Sequence, residues 1–221
     1  APTNGGDIES MRDEIEGFVT SLLSLVGVEA DPLSSREHIL LSNIIEHSWA
    51  AGLSLDLPGL VRQVLEPPIR RLGVFELDQF FPRGDRTKLA MRLNGVIASP
   101  SFATWVDGAP LDIDALIRSA DGRPAAAVLS LGHLSDDERQ FVVTLVMGKL
   151  ITWMRAQQGS GSLRLLVYMD EVFGYLPPTA NPPSKRPLLT LLKQARAFGV
   201  GLLLSTQNPV DLDYKALSNT G

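Results

Sequence analysis

None of the 221 residues is cysteine, which excludes disulfides, thiolate zinc sites and thiol catalysis. Histidine is scarce too. His38, His47 and His133 stand apart, none at metal-ligand spacing, so a histidine-rich metal centre is not expected. Long apolar runs are also missing: the best candidate, Phe141 to Met154, is broken by Lys149 and reads as a buried helix rather than a bilayer span. The opening residues, Ala-Pro-Thr-Asn-Gly-Gly-Asp, have neither the basic region nor the apolar core of a secretion signal. Together these absences point to a reducing, cytoplasmic setting.

What is present is the composition of a globular protein, 44% apolar and 20% charged, long enough to bury a substantial core. The chain does not begin with methionine and it stops at Ser-Asn-Thr-Gly, so both ends are read as cut from something longer. The net charge of −5 is unevenly spread. Residues 1 to 60 carry ten acids against Arg12 and Arg36, whereas Arg62 to Arg92 carries seven bases against four acids. An excess of three positive charges is a mild patch by nucleic-acid standards, and a solvated helix face accounts for it better than a DNA-binding field.

The first half reads as helical. A helix is expected over Ile8 to Val26 with Asp7 as its cap, and another opening at Ser34-Ser35-Arg36-Glu37 with a capping box from Ser34 to Glu37. Leu57-Pro58 starts a short third helix that must stop before Pro67-Pro68, and Arg86 to Ala98 forms a fourth. Between them, Ile69 to Arg83 reads as irregular with short helical turns. Residues 1–108 are therefore expected to form a helical subdomain, inserted within a larger α/β domain.

From residue 109 the pattern alternates. Ala125 to Leu131 fits a buried strand, and Ser135 with Glu138 opens a long helix through a capping box, with Asp136 and Asp137 at its positive end. Leu163 to Met169 is a second apolar strand. After the proline-rich loop Leu176 to Pro183 come a helix from Ser184 to Phe198, a left-handed stop at Gly199, and a strand from Val200 to Thr206. Strand, helix, strand, helix, strand implies parallel pairing with right-handed crossovers. The C-terminal ends of all three strands would then share one edge of the sheet, the edge where open α/β sheets bind ligands.

Two strand ends on that edge carry polar clusters. Leu165 to Met169 stops on Asp170-Glu171, and Val200 to Leu204 stops on Ser205-Thr206-Gln207. A carboxylate pair so placed suits ATP hydrolysis: one carboxylate holds Mg²⁺ or its bound water, and the other orients and polarises the attacking water. A glutamine at the next strand tip can donate to a γ-phosphate and accept from that water. The plainer alternatives are that Asp170 caps the following turn, Glu171 is merely exposed, and Gln207 satisfies backbone groups.

Leu-Leu-Val-Tyr-Met-Asp-Glu followed by Leu-Leu-Lys-Gln-Ala-Arg-Ala-Phe-Gly-Val-Gly-Leu-Leu-Leu-Ser-Thr-Gln-Asn-Pro-Val-Asp-Leu resembles the second half of a HerA/FtsK-type ATPase motor, most nearly the bacterial HerA-like proteins. The resemblance covers residues 163–221 well and residues 109–162 only at the level of fold. It implies a RecA-like P-loop core, Asp170 and Glu171 as the Walker B pair with Glu171 catalytic and Asp170 on Mg²⁺, and Gln207 as sensor. It further implies ATP as the nucleotide, DNA as the substrate of a helicase or translocase, a homo-oligomeric ring (usually a hexamer), and a nuclease or other protein partner. The resemblance also implies Arg196, in Gln-Ala-Arg-Ala-Phe-Gly, as the arginine that reaches a neighbour's nucleotide, although an arginine there equally suits a helix C-terminus. Lys185 and Arg186 are candidates for approaching DNA.

One departure is large. No Gly-x-x-x-x-Gly-Lys-[Ser/Thr] occurs anywhere in the sequence; Gly159-Ser160-Gly161-Ser162 lacks a lysine and precedes a strand, and Met147-Gly148-Lys149-Leu150 falls inside a helix. The phosphate cradle is therefore expected upstream in a longer parent, and this chain alone is expected to be inactive. Two other classes stay open: a non-catalytic assembly or regulatory module with a motor-like fold, and another Mg²⁺-dependent α/β phosphotransfer or nuclease domain.

Overall fold

A computed structural model describes residues 8–99, 111–208, 210, 212–214 and 218. It is a mixed α/β chain of two compact units. The first comprises Ala1–Gly5 and Leu22–Pro110, and the second comprises Gly6–Ser21 and Leu111–Gly221. Helix α1 (Ile8–Leu25) thus contributes its opening turns to the second unit, although residues 1–108 were expected to belong together. The reason is pairing that local sequence does not reveal. Glu14 binds Lys149 at 2.6 Å, Asp13 binds Arg155 at 3.1 Å, and the rings of Phe18 and Phe141 meet at 6.3 Å. The expected cap Asp7 lies outside the described residues.

The first unit is built from α2 (Arg36–Ala50), α3 (Leu57–Leu65), the short antiparallel pair β1 (Arg71–Leu72) and β2 (Phe75–Glu76), α4 (Leu77–Phe80) and α5 (Arg83–Ala98). Its buried side chains include Leu40, Ile44, Leu60, Val64 and Leu93, from the helical stripes of α2, α3 and α5, together with Phe81 just past the end of α4. The expected capping box of α2 does not form. Asp31 Oδ1 accepts from the Leu33 and Ser34 amides and the Ser34 hydroxyl, while Ser35 Oγ turns back to the Asp31 amide. A carboxylate three residues upstream outcompetes the glutamate downstream. In α3, Asp56 caps the Gly59 amide at 2.7 Å, with Pro58 in the first turn.

The second unit holds α6 (Ile113–Ile117), α7 (Asp136–Arg155), β3 (Ser160–Met169), α8 (Lys185–Gln194), a 3₁₀ turn over Ala195–Ala197, and β4 (Phe198–Leu204). Here the expected box at the start of α7 is complete: Ser135 Oγ accepts from the Glu138 amide and Glu138 Oε2 accepts from the Ser135 amide. Strands β3 and β4 pair in parallel with Leu165 opposite Val200 and Met169 opposite Leu204. Leu165, Val167 and Met169 face a core formed by Met147, Leu150 and Met154 of α7 and Leu188 and Leu191 of α8. Among the described residues the other face of the sheet is left open: Leu166, Tyr168 and Leu203 are each more than half exposed.

Ala125–Leu131 is not a strand. The described residues give it no ladder, only an isolated bridge between Arg118 and Pro124 just ahead of it, and Val128 is 89% exposed. Pro124 has no N–H to donate, and the Ala125 amide is already spent on the Ile117 carbonyl. Three successive alanines bury too little area to hold the segment against a sheet. Gly199 has φ +72 as expected of a left-handed stop, but it is the second residue of β4, because the strand begins at Phe198.

Candidate functional site

Beyond the paired strands, the ladder continues by two bonds to one residue. The Ser205 amide donates to the Met169 carbonyl and the Val172 amide donates to the Ser205 carbonyl, both at 2.9 Å. Asp170 and Glu171 lie between those two bonds and are therefore pushed outward as a bulge at the C-terminal edge of the sheet. Glu171 takes φ +48, the only non-glycine residue in the left-handed region among the described residues. Such a conformation costs on the order of 1–2 kcal/mol and persists where the surroundings over-determine it.

The bulge brings the predicted residues together. Gln207 Nε2 donates to Glu171 Oε1 at 2.8 Å. An ionised carboxylate only accepts, so this contact turns the amide NH₂ towards Glu171 and leaves its second proton free. Asp170 Oδ1 accepts from the Glu171 amide at 3.1 Å, which still leaves most of its lone pairs available. All three residues are exposed. With no group of three or more His, Cys, Asp or Glu among the described residues, metal binding here would draw on one or two carboxylates. That donor set suits Mg²⁺, which keeps several waters and completes its shell with substrate phosphates.

Other candidates lie elsewhere. Arg196 is exposed in the 3₁₀ turn that leads into β4, at the strand end opposite Gln207. The seven residues of β4 at about 3.3 Å each separate it from the Glu171–Gln207 pair by roughly 20 Å. Lys185 does not face a nucleic acid: it is 7% exposed, and its Nζ meets Asp213 Oδ2 at 2.8 Å, the Pro177 carbonyl at 2.6 Å and the Ala180 carbonyl at 3.1 Å. Arg186, although exposed, is held by Glu16 and lies 4.0 Å from Asp13. Both residues have acidic partners distant in sequence, but only Lys185 is buried by them.

The buried arrangement around Lys185 was not foreseen. Its sequence signal is a lysine at a helix start, where the positive end of the dipole disfavours it unless a specific partner compensates. Ser184, fully buried beside it, donates to Gln140 Oε1 at 2.7 Å and approaches the Tyr175 carbonyl at 3.3 Å. Burial pushes the nearby Tyr175 hydroxyl up from the ordinary tyrosine range. Among the described residues no helix is long and apolar enough to cross a membrane. No protein-family model matches the chain, and no curated protein matches it either.

Proposed function

We propose that this chain is the Walker B and sensor half of a HerA-like, RecA-type P-loop ATPase, cytoplasmic and ring-forming, whose intact form spends ATP on moving along or unwinding DNA. The observation that carries this reading is the 2.8 Å contact between Gln207 and Glu171 at the C-terminal edge of two parallel strands. Mg²⁺, when bound, would neutralise charge on the phosphates. Asp170 would hold it, directly or through its water. Glu171 orients and polarises the attacking water, and the free amide proton of Gln207 reaches the γ-phosphate, joining nucleotide recognition to the carboxylate. Arg196, about a strand length away, serves a neighbouring subunit's nucleotide.

The phosphate cradle comes from another segment of the same motor. The open face formed by Leu166, Tyr168 and Leu203 supports this, because parallel sheets are ordinarily covered on both faces. In the full-length protein, Glu171→Gln should keep ATP binding and lower turnover by about 10²–10⁴-fold. Unchanged ATPase activity would refute the assignment. This chain alone should show no micromolar ATP binding by calorimetry, and a clear isotherm would put the nucleotide elsewhere.

A further inference from the structure

The two arms that carry Glu171 and Gln207 diverge after the bulge, and one buried cation joins them again. Downstream of Glu171 the chain forms the proline-rich loop, and downstream of Gln207 it runs to Asp213. Lys185 Nζ donates to the Pro177 and Ala180 carbonyls of the first arm and pairs with Asp213 of the second. All three ammonium protons are thereby used. The Asp213 amide adds a backbone bond to the Leu176 carbonyl at 2.8 Å. From the side of α7, Gln140 Nε2 donates to the Gly174 carbonyl at 3.0 Å while its Oε1 accepts from Ser184. Each arm is thus fixed twice, by Ser205 at the sheet and by Lys185 below it.

We propose that Lys185 is a positioning residue: with Asp213 it clips the two loops so that the Gln207 amide stays seated on the Glu171 carboxylate. It touches neither the carboxylate pair nor any group placed to meet nucleotide. A lysine buried at the unfavourable end of a helix dipole is costly unless its charge is compensated. Here the compensation comes from the two strands of chain whose spacing defines the site. This inference rests on the ATPase reading above for its effect on turnover, but not for its effect on geometry.

The test uses the full-length ATPase and three variants. Lys185→Met/Asp213→Leu removes both charges and so leaves no unpaired ion in the interior. Asp213→Asn keeps the shape and the two carbonyl contacts. Lys193→Met, on the exposed side of the same helix, is the control. The double variant should lower kcat about 100-fold with KM for ATP within about twofold, the signature of a displaced catalytic group rather than lost binding. Asp213→Asn should lower kcat in the same direction by less, and the control should be unchanged. Amide hydrogen exchange provides the second readout: the Val172 and Asp213 amides should lose protection in the double variant while those within α7 keep theirs. A folded double variant with wild-type kcat and wild-type protection at both amides would overturn the proposal, as would an unaltered Asp213→Asn if the double variant failed to fold. Absence of ATPase activity in the unmodified protein would instead count against the ATPase reading, and the exchange data would still decide the clip.

Discussion

Gly199→Ala tests how tightly the two strands are held together. A Cβ at residue 199 would lie 2.3 Å from the Ser162 carbonyl oxygen, with Arg164 Cγ and Ser160 Cβ at 3.3 Å. The oxygen belongs to the backbone of β3 and cannot swing aside as a side chain would. Two costs therefore add. An L-residue at φ +72 costs about 1–2 kcal/mol, and relieving the overlap by shifting backbone costs about 1–3 kcal/mol more. The expected loss is about 2–5 kcal/mol in the second unit. Gly174→Ala separates the two terms, since it has φ +86 and nothing within 4 Å of the added carbon, and should lose about 1–2 kcal/mol. Urea unfolding followed by fluorescence reads the result. A Trp49→Phe/Trp105→Phe background leaves Trp153 of α7 as the reporter for the second unit. Equal midpoints for the two alanine variants would show that the strands separate freely at this point, and the reasoning from close approach would fail.

Ser135→Ala removes the cap of α7 and should destabilise the second unit by about 1 kcal/mol, read as a lower urea midpoint at unchanged slope. In the first unit, burial of His38 holds its imidazole below the ordinary histidine range. The unfolded chain therefore binds a proton at a higher pH than the folded one, and stability should fall as pH drops from the unfolded histidine value of about 6.5 towards the folded one. His38→Gln should flatten that part of the curve in a urea series across pH, and an unchanged slope would show that another group is responsible.

The features legible in the sequence were those written in adjacent residues. Leu165 to Met169 and Val200 to Leu204 are apolar runs that read as strands, and their polar ends marked the edge now occupied by Asp170, Glu171 and Gln207. Ser135 and Glu138 announced α7 for the same local reason. Ala125–Leu131 showed the limit of this reading, because an apolar run is a strand only if a neighbour supplies the ladder. Lys185 was misplaced, and the ion pair of Arg186 was hidden, because their partners, Asp213 and Glu16, are fixed by tertiary folding. The left-handed Glu171 was equally hidden: it follows from two bonds to Ser205, more than thirty residues away.

That last point bears on how the proposed halves of the motor would cooperate. The strain at Glu171 is sustained by the pairing of β3 with β4, so anything that strengthens this pairing also steadies the carboxylate. Leu166, Tyr168 and Leu203 leave the outer face of the same two strands uncovered. Covering three half-exposed side chains would contribute on the order of 1 kcal/mol each. Under the proposed reading, the segment that brings the phosphate cradle also covers this face. It would then supply the missing phosphate contacts and raise the stability of the ladder that holds Glu171 against Gln207. Energetic and chemical completion of the site would be one event, and a cradle that bound nucleotide without covering the sheet would leave the carboxylate less firmly placed.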